Sequence, residues 1–255
     1  MKIYVCVKHV PDSAATITIR EKNQIDESVT FLLNPYDEHA VEEGSRLKAR
    51  TEDAEVVAVC VGKEAAGNTL QSALAMGADR AILIKTDEGP DSILTARALR
   101  AAIEQDGKPD IIFTGKESID SEGMQTMFRL AAALGVPVAT NVVTFSVDRN
   151  NARVECELEA GVKQLLEMPL PCVIAAGKGL NKPKYPTFMD IRKSKKKEIK
   201  QIELDSLPIE KPVARMEILE LKPAVEQRQP KELKGPPEEA VRQLIELLIN
   251  EAKVL

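Results

Sequence analysis

Tryptophan is absent from this 255-residue chain, and aromatic residues together make up only 3% of it. Proteins that bind single-stranded nucleic acid stack the bases on aromatic side chains, so this composition argues against that function. The net charge of −5 provides no basic surface for a polyanion either. No run of 18 apolar residues occurs, so we predict no membrane-spanning helix and no direct membrane insertion.

Histidine and cysteine are scarce as well. The two histidines, His9 and His39, are far apart, and the four cysteines include no Cys-x-x-Cys pair. These spacings predict neither a metal site nor a histidine-dependent catalytic triad, and nothing selects a pair of carboxylates for catalysis. Each cysteine lies in an apolar run, so we expect buried, reduced thiols. The first ten residues are charged too early for a signal peptide and predict a strand, which favours a cytoplasmic location.

The first two-thirds of the chain alternate between strand and helix patterns. Strands are predicted at residues 2–8, 17–20, 29–33, 55–61, 80–85 and 110–114, and helices at 35–50, 64–76, 92–105 and 124–134. Asn34 is the expected N-cap of the first helix. The strands at 17–20 and 29–33 are expected to flank a polar turn at 22–24. This alternation predicts an α/β fold with an open, mostly parallel, doubly wound sheet.

After residue 138 the pattern changes. Residues 142–147 and 153–157 predict a β-hairpin that residues 162–166 can join, and residues 172–176 predict one more strand. Residues 200–235 are rich in proline and charge, and residues 236–251 predict an amphipathic helix. We therefore predict an α/β domain at 1–199 with a β-hairpin addition, and an extended arm with a terminal helix at 200–255. The pattern leaves open whether the arm folds back on this chain or binds a partner.

The polar segment at residues 115–126 follows a buried strand and leads into a helix. In open α/β sheets, ligands bind beyond the carboxyl ends of the strands, and a helix N-terminus there favours a phosphate. Residues 6–8 with 34–37, and residues 59–62, would share the same crevice. The spacing is neither GxGxxG nor a Walker loop. Both a phosphate site and a capped helix with a polar loop therefore fit this segment.

A second feature, at residues 177–197, places lysines around apolar side chains. Its candidate docking residues are Tyr185, Phe188, Met189, Ile191, Lys195, Lys196 and Lys197. A run of charge is usually only a solvated face. The alternative hypothesis is a docking loop, in which an apolar anchor binds a partner and the cations attract its acidic groups.

Four motifs resemble those of the β (small) subunit of electron transfer flavoprotein, in the order and spacing of that family. They are NPYDEHAVEE at residues 34–43, ALAMGADR at 73–80, GKESIDSEGMQT at 115–126, and LNKPKYPT at 180–187 followed by the lysines at 195–197. The resemblance covers nearly the whole chain. It implies an adenine-nucleotide α-hydrolase-like fold.

The resemblance also implies a function. The chain would form a heterodimer with a larger α subunit that carries most of a redox FAD, and it would complete that flavin site. Such a protein is an electron carrier with no substrate of its own. It takes electrons from acyl-CoA-type or other dehydrogenases, as in fatty acid oxidation, and passes them to a membrane quinone-linked oxidoreductase. The dehydrogenases would dock on a recognition loop at about residues 180–197, anchored by Phe188, and the arm at 200–255 would pack on the α subunit.

The family further implies an AMP with an architectural role in this chain's own domain. The matching contact residues are Cys6, Asn34, Pro35, Tyr36, Asp37, Val61, Gly115, Lys116, Glu117, Ser118, Ile119, Asp120, Ser121, Glu122, Gly123, Met124, Gln125 and Thr126. Met124 replaces a residue that is polar in many relatives. Met127 stands where a glycine usually leaves room for a phosphate.

These departures leave the ligand open. AMP is favoured. The first alternative is a second FAD, as in the electron-bifurcating, NADH-oxidising branch of the family. The second alternative disregards the family and takes the chain to be a stand-alone adenine-nucleotide-binding module.

Overall fold

The computed structural model describes residues 1–87, 89–210, 213–223 and 230–255, which divide into two units, Met1–Leu219 and Glu220–Leu255. The strands are β1 (Lys2–Val7), β2 (His9–Pro11), β3 (Ile19–Arg20), β4 (Gln24–Ile25), β5 (Phe31–Leu33), β6 (Glu55–Gly62), β7 (Arg80–Lys85), β8 (Ile111–Gly115), β9 (Val138–Asp148), β10 (Asn151–Glu157), β11 (Lys163–Pro169), β12 (Cys172–Ala176) and β13 (Ile199–Glu203). The α-helices are α1 (Pro35–Ala49), α2 (Gly67–Met76), α3 (Ser92–Asp106), α4 (Thr126–Leu134), α5 (Phe188–Ser194) and α6 (Pro237–Leu247).

Nine strands of the first unit form one sheet, in the order β11-β10-β9-β12-β8-β1-β6-β7-β13. The seven strands from β9 to β13 in that order are parallel. Strand β10 forms an antiparallel hairpin with β9, and β11 pairs antiparallel with β10 at the outer side. The chain fills the β6 and β7 side of β1 first and then crosses to β8 on the other side. The sheet therefore has its topological switch point between β1 and β8. The predicted α/β class, parallel sheet and hairpin addition are confirmed.

Helices cover both faces of this sheet. On one face, Val41 and Leu47 of α1 and Leu70 of α2 share a core with Val5 of β1. On the other, α3 and α4 cover a second core that contains Ile82 and many alanines. Most residues of the central strands β1, β6, β7, β8 and β12 are buried, since helices cover both faces there, which explains why these strands have nearly continuous apolar sequences. The four cysteines are all buried and free, as expected.

The predicted pairing of residues 17–20 with 29–33 is wrong. Glu21 and Lys22 adopt left-handed φ angles of 49° and 68°, and this tight turn pairs Ile19 with Ile25 instead. Strand β5, which was expected to be the partner, pairs with β2. The two ribbons lie beside the main sheet and do not extend it.

The end of the first unit differs from the predicted boundary at residues 199 and 200. Strand β13 is parallel to β7 and forms the edge of the main sheet. Beyond it, Leu204 and Leu207 are buried in the core below α3 and α4, and the backbone N–H of Arg215 donates to Asp91 at 2.6 Å. The sheet unit therefore extends to Leu219, and only the following residues form the second unit.

The connection from β12 to β13, residues 177–198, crosses from the middle of the sheet to its far edge. Along the way it hydrogen-bonds to α1 through Asn181 and to α2 through Ser194. It thus lies over the helical layer of α1 and α2. A short helix, α5, occupies its centre where the sequence predicted a loop.

The second unit contains α6, which continues into a π-helical turn at Leu248–Ala252. The predicted helix at 236–251 is thus confirmed, with an exposed apolar side that includes Val241, Leu244 and Ile245. None of the helices in the described ranges combines the length and the apolar character needed to cross a bilayer.

A charged cluster joins the amino ends of β1, β6 and β7 to the end of α3. Arg80 donates to both oxygens of Asp106, at 2.9 and 2.7 Å, and also to Glu55. The buried Tyr4 hydroxyl donates to Asp106 at 2.7 Å, and the Lys2 ammonium lies 3.1 Å from the same oxygen. Burial would raise the pKa of Asp106, but these donors outweigh it and hold that pKa well below its ordinary value.

We predict that Asp106→Asn lowers the free energy of unfolding by about 2 kcal/mol at pH 7, because it removes charge-assisted hydrogen bonds. A carboxylate whose folded pKa is depressed stabilises the fold above its unfolded pKa of about 3.9, and this contribution is lost as the pH falls further. Urea titrations from pH 7 to pH 3 should therefore show the variant and the wild type converging below about pH 4. Asp87→Asn, at an exposed position, is the control and should change stability by less than about 0.5 kcal/mol. A constant difference across the pH range would contradict the assignment.

Candidate functional site

The switch point between β1 and β8 is bridged by the side chain of Asp37. Its carboxylate accepts a hydrogen bond from the backbone N–H of Lys8, after β1, at 2.7 Å, and from that of Gly115, the last residue of β8, at 2.9 Å. Asp37 lies in the first turn of α1 and is 5% exposed. One buried side chain thus holds together two strand ends and a helix.

Burial raises the pKa of the Asp37 carboxyl to about 7, although the N–H groups of Lys8 and Gly115 and the Asn34 side chain favour its charged form. The cost of desolvation is therefore only partly offset by hydrogen bonds. Burial therefore costs free energy for a charged Asp37, and the hydrogen bonds of this side chain fix the geometry of the crevice.

Asn34 does not act as the predicted side-chain N-cap of α1. Its side chain turns to the segment after β8 instead: Nδ2 donates to the Glu117 carbonyl at 2.9 Å, and Oδ1 accepts from the Ile119 N–H at 3.2 Å. Its backbone N–H donates to the Lys8 carbonyl at 3.1 Å. Because Asn34 is almost fully buried, it fixes the path of the polar segment, which matters more here than capping the helix.

Lys8 belongs to the strand end at residues 6–8 that the sequence placed at this crevice, but it was not among the predicted ligand contacts. Its ammonium lies 2.7 Å from both oxygens of Asp120 and is also hydrogen-bonded to Ser118 at 3.2 Å and Ser121 at 3.3 Å. Burial would raise the pKa of Asp120, but the Lys8 charge outweighs it and lowers that pKa. The position of Lys8, directly after a central strand, was the available indication.

Tyr36, Lys116 and Glu117 form a second polar group at the same edge. The Lys116 ammonium is 5.2 Å from the centroid of the Tyr36 ring and 3.1 Å from Glu117 Oε1. Burial and a hydrogen bond with Glu117 raise the pKa of Tyr36, so its phenol remains protonated. Pro35, the first residue of α1, is exposed beside them.

The segment ends at α4, which begins at Thr126, two residues later than predicted. The side chain of Gln125, the N-cap residue, accepts no hydrogen bond from the first turn of α4. The backbone N–H groups of that turn are therefore not capped by it. Glu122 and Met124 before it both adopt φ angles of 47°, and the segment from Ser121 to Gln125 is exposed.

Met127 does not obstruct this opening. Its side chain is 2% exposed and packs into the core with Ile112 and Leu130. The expected obstruction by Met127 is therefore wrong, because its position on α4 directs the side chain toward the sheet. Met124 is partly exposed in the loop.

The floor of the crevice on this face is formed by Cys6, Val61 and Thr114. Val5 pairs with Phe113, so Cys6 and Thr114 are neighbours at the next position of β1 and β8. Burial raises the pKa of the Cys6 thiol, which stays neutral, and Val61 packs at the edge of the same core. The Thr114 hydroxyl is buried and has no hydrogen-bond partner among the described residues. A buried hydroxyl without a partner is an exception in folded proteins and calls for an explanation.

The candidate docking residues lie on the crossover connection. Tyr185 and Phe188 are 95% and 80% exposed, and Met189, Ile191, Lys195 and Lys196 are exposed as well. Lys197 differs from them, since its ammonium donates to the carbonyls of Leu74 and Ala78, at 2.9 and 2.5 Å, at the end of α2. Lys197 therefore attaches the crossover connection to the end of α2, and the other six candidate residues lie at the surface.

The polar segment contains two glycines, Gly115 and Gly123, and glycine lets the backbone approach a neighbouring group closely. A Cβ on Gly115 would collide with Asp37 Oδ1 and would lie 2.7 Å from the Tyr36 Cβ atom, so this glycine makes room for α1. A Cβ on Gly123 would have nothing within 4 Å.

We predict that Gly115→Ala lowers the free energy of unfolding by about 1–3 kcal/mol through overpacking. Gly123→Ala, the matched control, should stay within about 0.5 kcal/mol in the same urea titration. Equal effects would contradict this packing argument.

Comparison with known proteins gives a consistent result. A sequence model described as the electron transfer flavoprotein domain matches residues 22–207. Electron transfer flavoprotein subunit beta of Bacillus subtilis is 33% identical over 260 residues, covering 100% of both chains. The mitochondrial subunit beta of Oryza sativa subsp. indica is 36% identical over 261 residues, again 100% of both, and the Mus musculus subunit beta is 33% identical over 216 residues, 82% of this chain and 84% of its own. This chain therefore belongs to the electron transfer flavoprotein family, as one of its β subunits.

Proposed function

We propose that this chain pairs with a larger α subunit, completes the FAD site of that subunit, and holds an AMP in the crevice at its own switch point. The subunit-beta names of the full-length relatives support an α partner. When bound, the flavin supplies the redox chemistry. The residues of this chain position the ligands and dock the partner proteins.

The observation that carries the nucleotide proposal is the buried, unpartnered Thr114 hydroxyl at the switch point, with the uncapped start of α4 beside it. Open α/β sheets bind ligands at this place, and free N–H groups at a helix start suit a phosphate. Cys6 and Val61 offer the apolar surface that an adenine ring requires. The residues present therefore fit a mononucleotide.

The bifurcating alternative places a second FAD in this crevice. The loop of that branch has Gly-Asp-Thr-Ala before the glutamine, and this chain has Ser-Glu-Gly-Met at residues 121–124 instead. The argument against a phosphate was the bulk of Met127, and that side chain is buried in the core. The polar segment is held in place by Lys8 and Asn34 without a ligand group. We propose AMP, and the ligand count below separates the two functions.

The exposed apolar side chains of the crossover connection support a docking surface for electron-donating proteins. A phenyl ring that is 80% exposed among lysines is the arrangement of an interface anchor surrounded by steering charges. We propose that acyl-CoA-type or other dehydrogenases dock here, and that a quinone-linked oxidoreductase receives the electrons afterwards.

We predict that Thr126→Glu expels the AMP while the complex with the α subunit keeps its FAD. A carboxylate at the first position of α4 competes with the phosphate for the same N–H groups, and it is favourable for the helix itself, so the fold should persist. The measurement is the amount of AMP and FAD released by acid from the purified αβ complex. We expect AMP binding to weaken by about tenfold or more, which corresponds to at least about 1.4 kcal/mol.

The matched control is Ser146→Glu, which adds the same charge at an exposed position of β9. It should leave both ligands in place. Two FAD per wild-type complex and no AMP would establish the bifurcating alternative. Loss of both ligands from Thr126→Glu would point to one shared site and overturn the proposed arrangement.

A second prediction concerns the α6 helix. Deleting residues 236–255 should weaken α-subunit association and FAD retention, because the deletion removes an apolar helix face. The double variant Val241→Ser with Ile245→Ser should do the same, since each buried side chain of this kind contributes about 1.5–3 kcal/mol. The control is the double variant Arg242→Ser with Glu246→Ser, which alters the polar side of α6 without changing the net charge. It should bind the α subunit normally. Sedimentation of the mixed subunits measures the association, and full binding by the truncated chain would show that α6 has another role.

A further inference from the structure

The docking segment, residues 185–194, is built as a rigid element although its side chains are exposed. The Thr187 hydroxyl accepts from the Asp190 N–H at 3.2 Å, and the Asp190 carboxylate accepts from the Thr187 N–H at 3.0 Å. This reciprocal capping box fixes the start of α5. A seven-residue helix is too short to be stable by itself, so its order depends on how its two ends are attached.

The first attachment is Asn181, which is fixed to α1. Its Nδ2 donates to the His39 carbonyl at 2.9 Å and to Glu43 Oε2 at 3.0 Å, and its Oδ1 lies 3.1 Å from His39 Nδ1. Next to it, the Lys184 N–H donates to Glu42 at 3.3 Å. Glu42 and Glu43 are almost fully buried, so these acceptors are held firmly.

The second attachment is Ser194, which is fixed to α2 and is completely buried. Its hydroxyl accepts from Gln71 Nε2 at 2.8 Å and donates to the Ile191 carbonyl at 2.9 Å. One serine thus closes the last turn of α5 and ties it to the neighbouring helix. The Lys197 contacts with Leu74 and Ala78 follow directly after it.

We infer that Asn181 and Ser194 are positioning residues that hold the docking segment in its binding conformation before a partner arrives. The inference rests on the docking role under Proposed function. The partner it fits is a protein surface with an apolar pocket for Phe188 and an acidic rim for Arg192, Lys193, Lys195 and Lys196, all of which are exposed. Ordering a loop and its side chains on binding costs affinity, and a segment that is already ordered avoids this cost.

The experiment uses the αβ complex and, from a panel of purified acyl-CoA dehydrogenases, the one that reduces the wild type fastest. Asn181→Ala and Ser194→Ala should each raise KM for the dehydrogenase about five- to tenfold and leave kcat within about twofold. Hydrogen exchange of the α5 amides should accelerate about tenfold or more in both variants. FAD content and the salt dependence of the rate should match the wild type, since no charge is lost.

Three further variants make the result specific. Phe188→Ala should raise KM without faster exchange in α5, because it removes the anchor and keeps the attachments. Asn151→Ala removes a comparable amide contact, with Glu167 in the distant hairpin at 2.8 Å, and should change neither KM nor exchange. If Ser194→Ala does not fold, Gln71→Ala tests the same attachment and leaves the serine in place.

The outcomes separate the inference from the docking role. Wild-type KM for Phe188→Ala, or no reduction by any dehydrogenase of the panel, would overturn the docking role and the inference with it. A raised KM for Phe188→Ala together with wild-type KM for Asn181→Ala and Ser194→Ala would overturn the inference alone. A fall in kcat or a loss of FAD in the attachment variants would also overturn it, because a positioning residue for docking does not affect the later steps.

Discussion

A buried carboxylate at the point where the sheet changes direction is the interaction on which the rest of the site depends. At a switch point the connections after the two neighbouring strands leave toward opposite faces of the sheet, so backbone groups at the carboxyl ends of the strands would lie open. Asp37 satisfies one N–H group from each strand, and Gly115 provides the space that lets it approach. Helix α1 is thereby fixed at the start of the crevice, and the polar segment after β8 is arranged around it.

Successive turns of helix α1 contribute to two different surfaces of the protein. Its first turn faces the proposed nucleotide crevice through Asp37, and the residue before it, Asn34, fixes the polar segment. One turn later, His39, Glu42 and Glu43 hold the start of the docking segment. Burial of two glutamates within a helix is costly unless each has partners. Here Arg46 pairs with Glu42 and Arg50 pairs with Glu43, and the crossover connection adds further hydrogen bonds to both carboxylates. The acidic pair of the NPYDEHAVEE motif is thus explained by packing within this chain.

The sequence alone predicted the elements whose conformation is determined by residues close together in the chain. Strand β12 and the hairpin of β9 and β10 follow from apolar runs, alternation and turn residues, and the end of α4 follows from Gly135. The parallel sheet and its binding edge follow from the alternation of strands and helices.

Other features depend on contacts between residues that are far apart in sequence, and no local pattern reveals them. Asn34 looks like an N-cap until the segment at residues 117–119 is brought against it. Lys8 acquires its role only from Asp120, 112 positions away. Strand β13 is a short, half-exposed edge strand in a charged stretch of sequence. It is extended because it pairs with β7, which lies more than 100 residues earlier in the chain. Helix α5 is a similar case, since its stability comes from its attachments.

The crossover from β12 to β13 has a consequence for how this family can diversify. It spans five strand intervals, roughly 24 Å at about 4.8 Å each, and both of its ends are strands of the same sheet. Its 22 residues are longer than this span requires, and two contacts divide it: Asn181 ties it to α1 and Ser194 ties it to α2. The exposed docking side chains lie between these two contacts. We therefore expect this surface to change by substitution of side chains, which leaves both contacts in place.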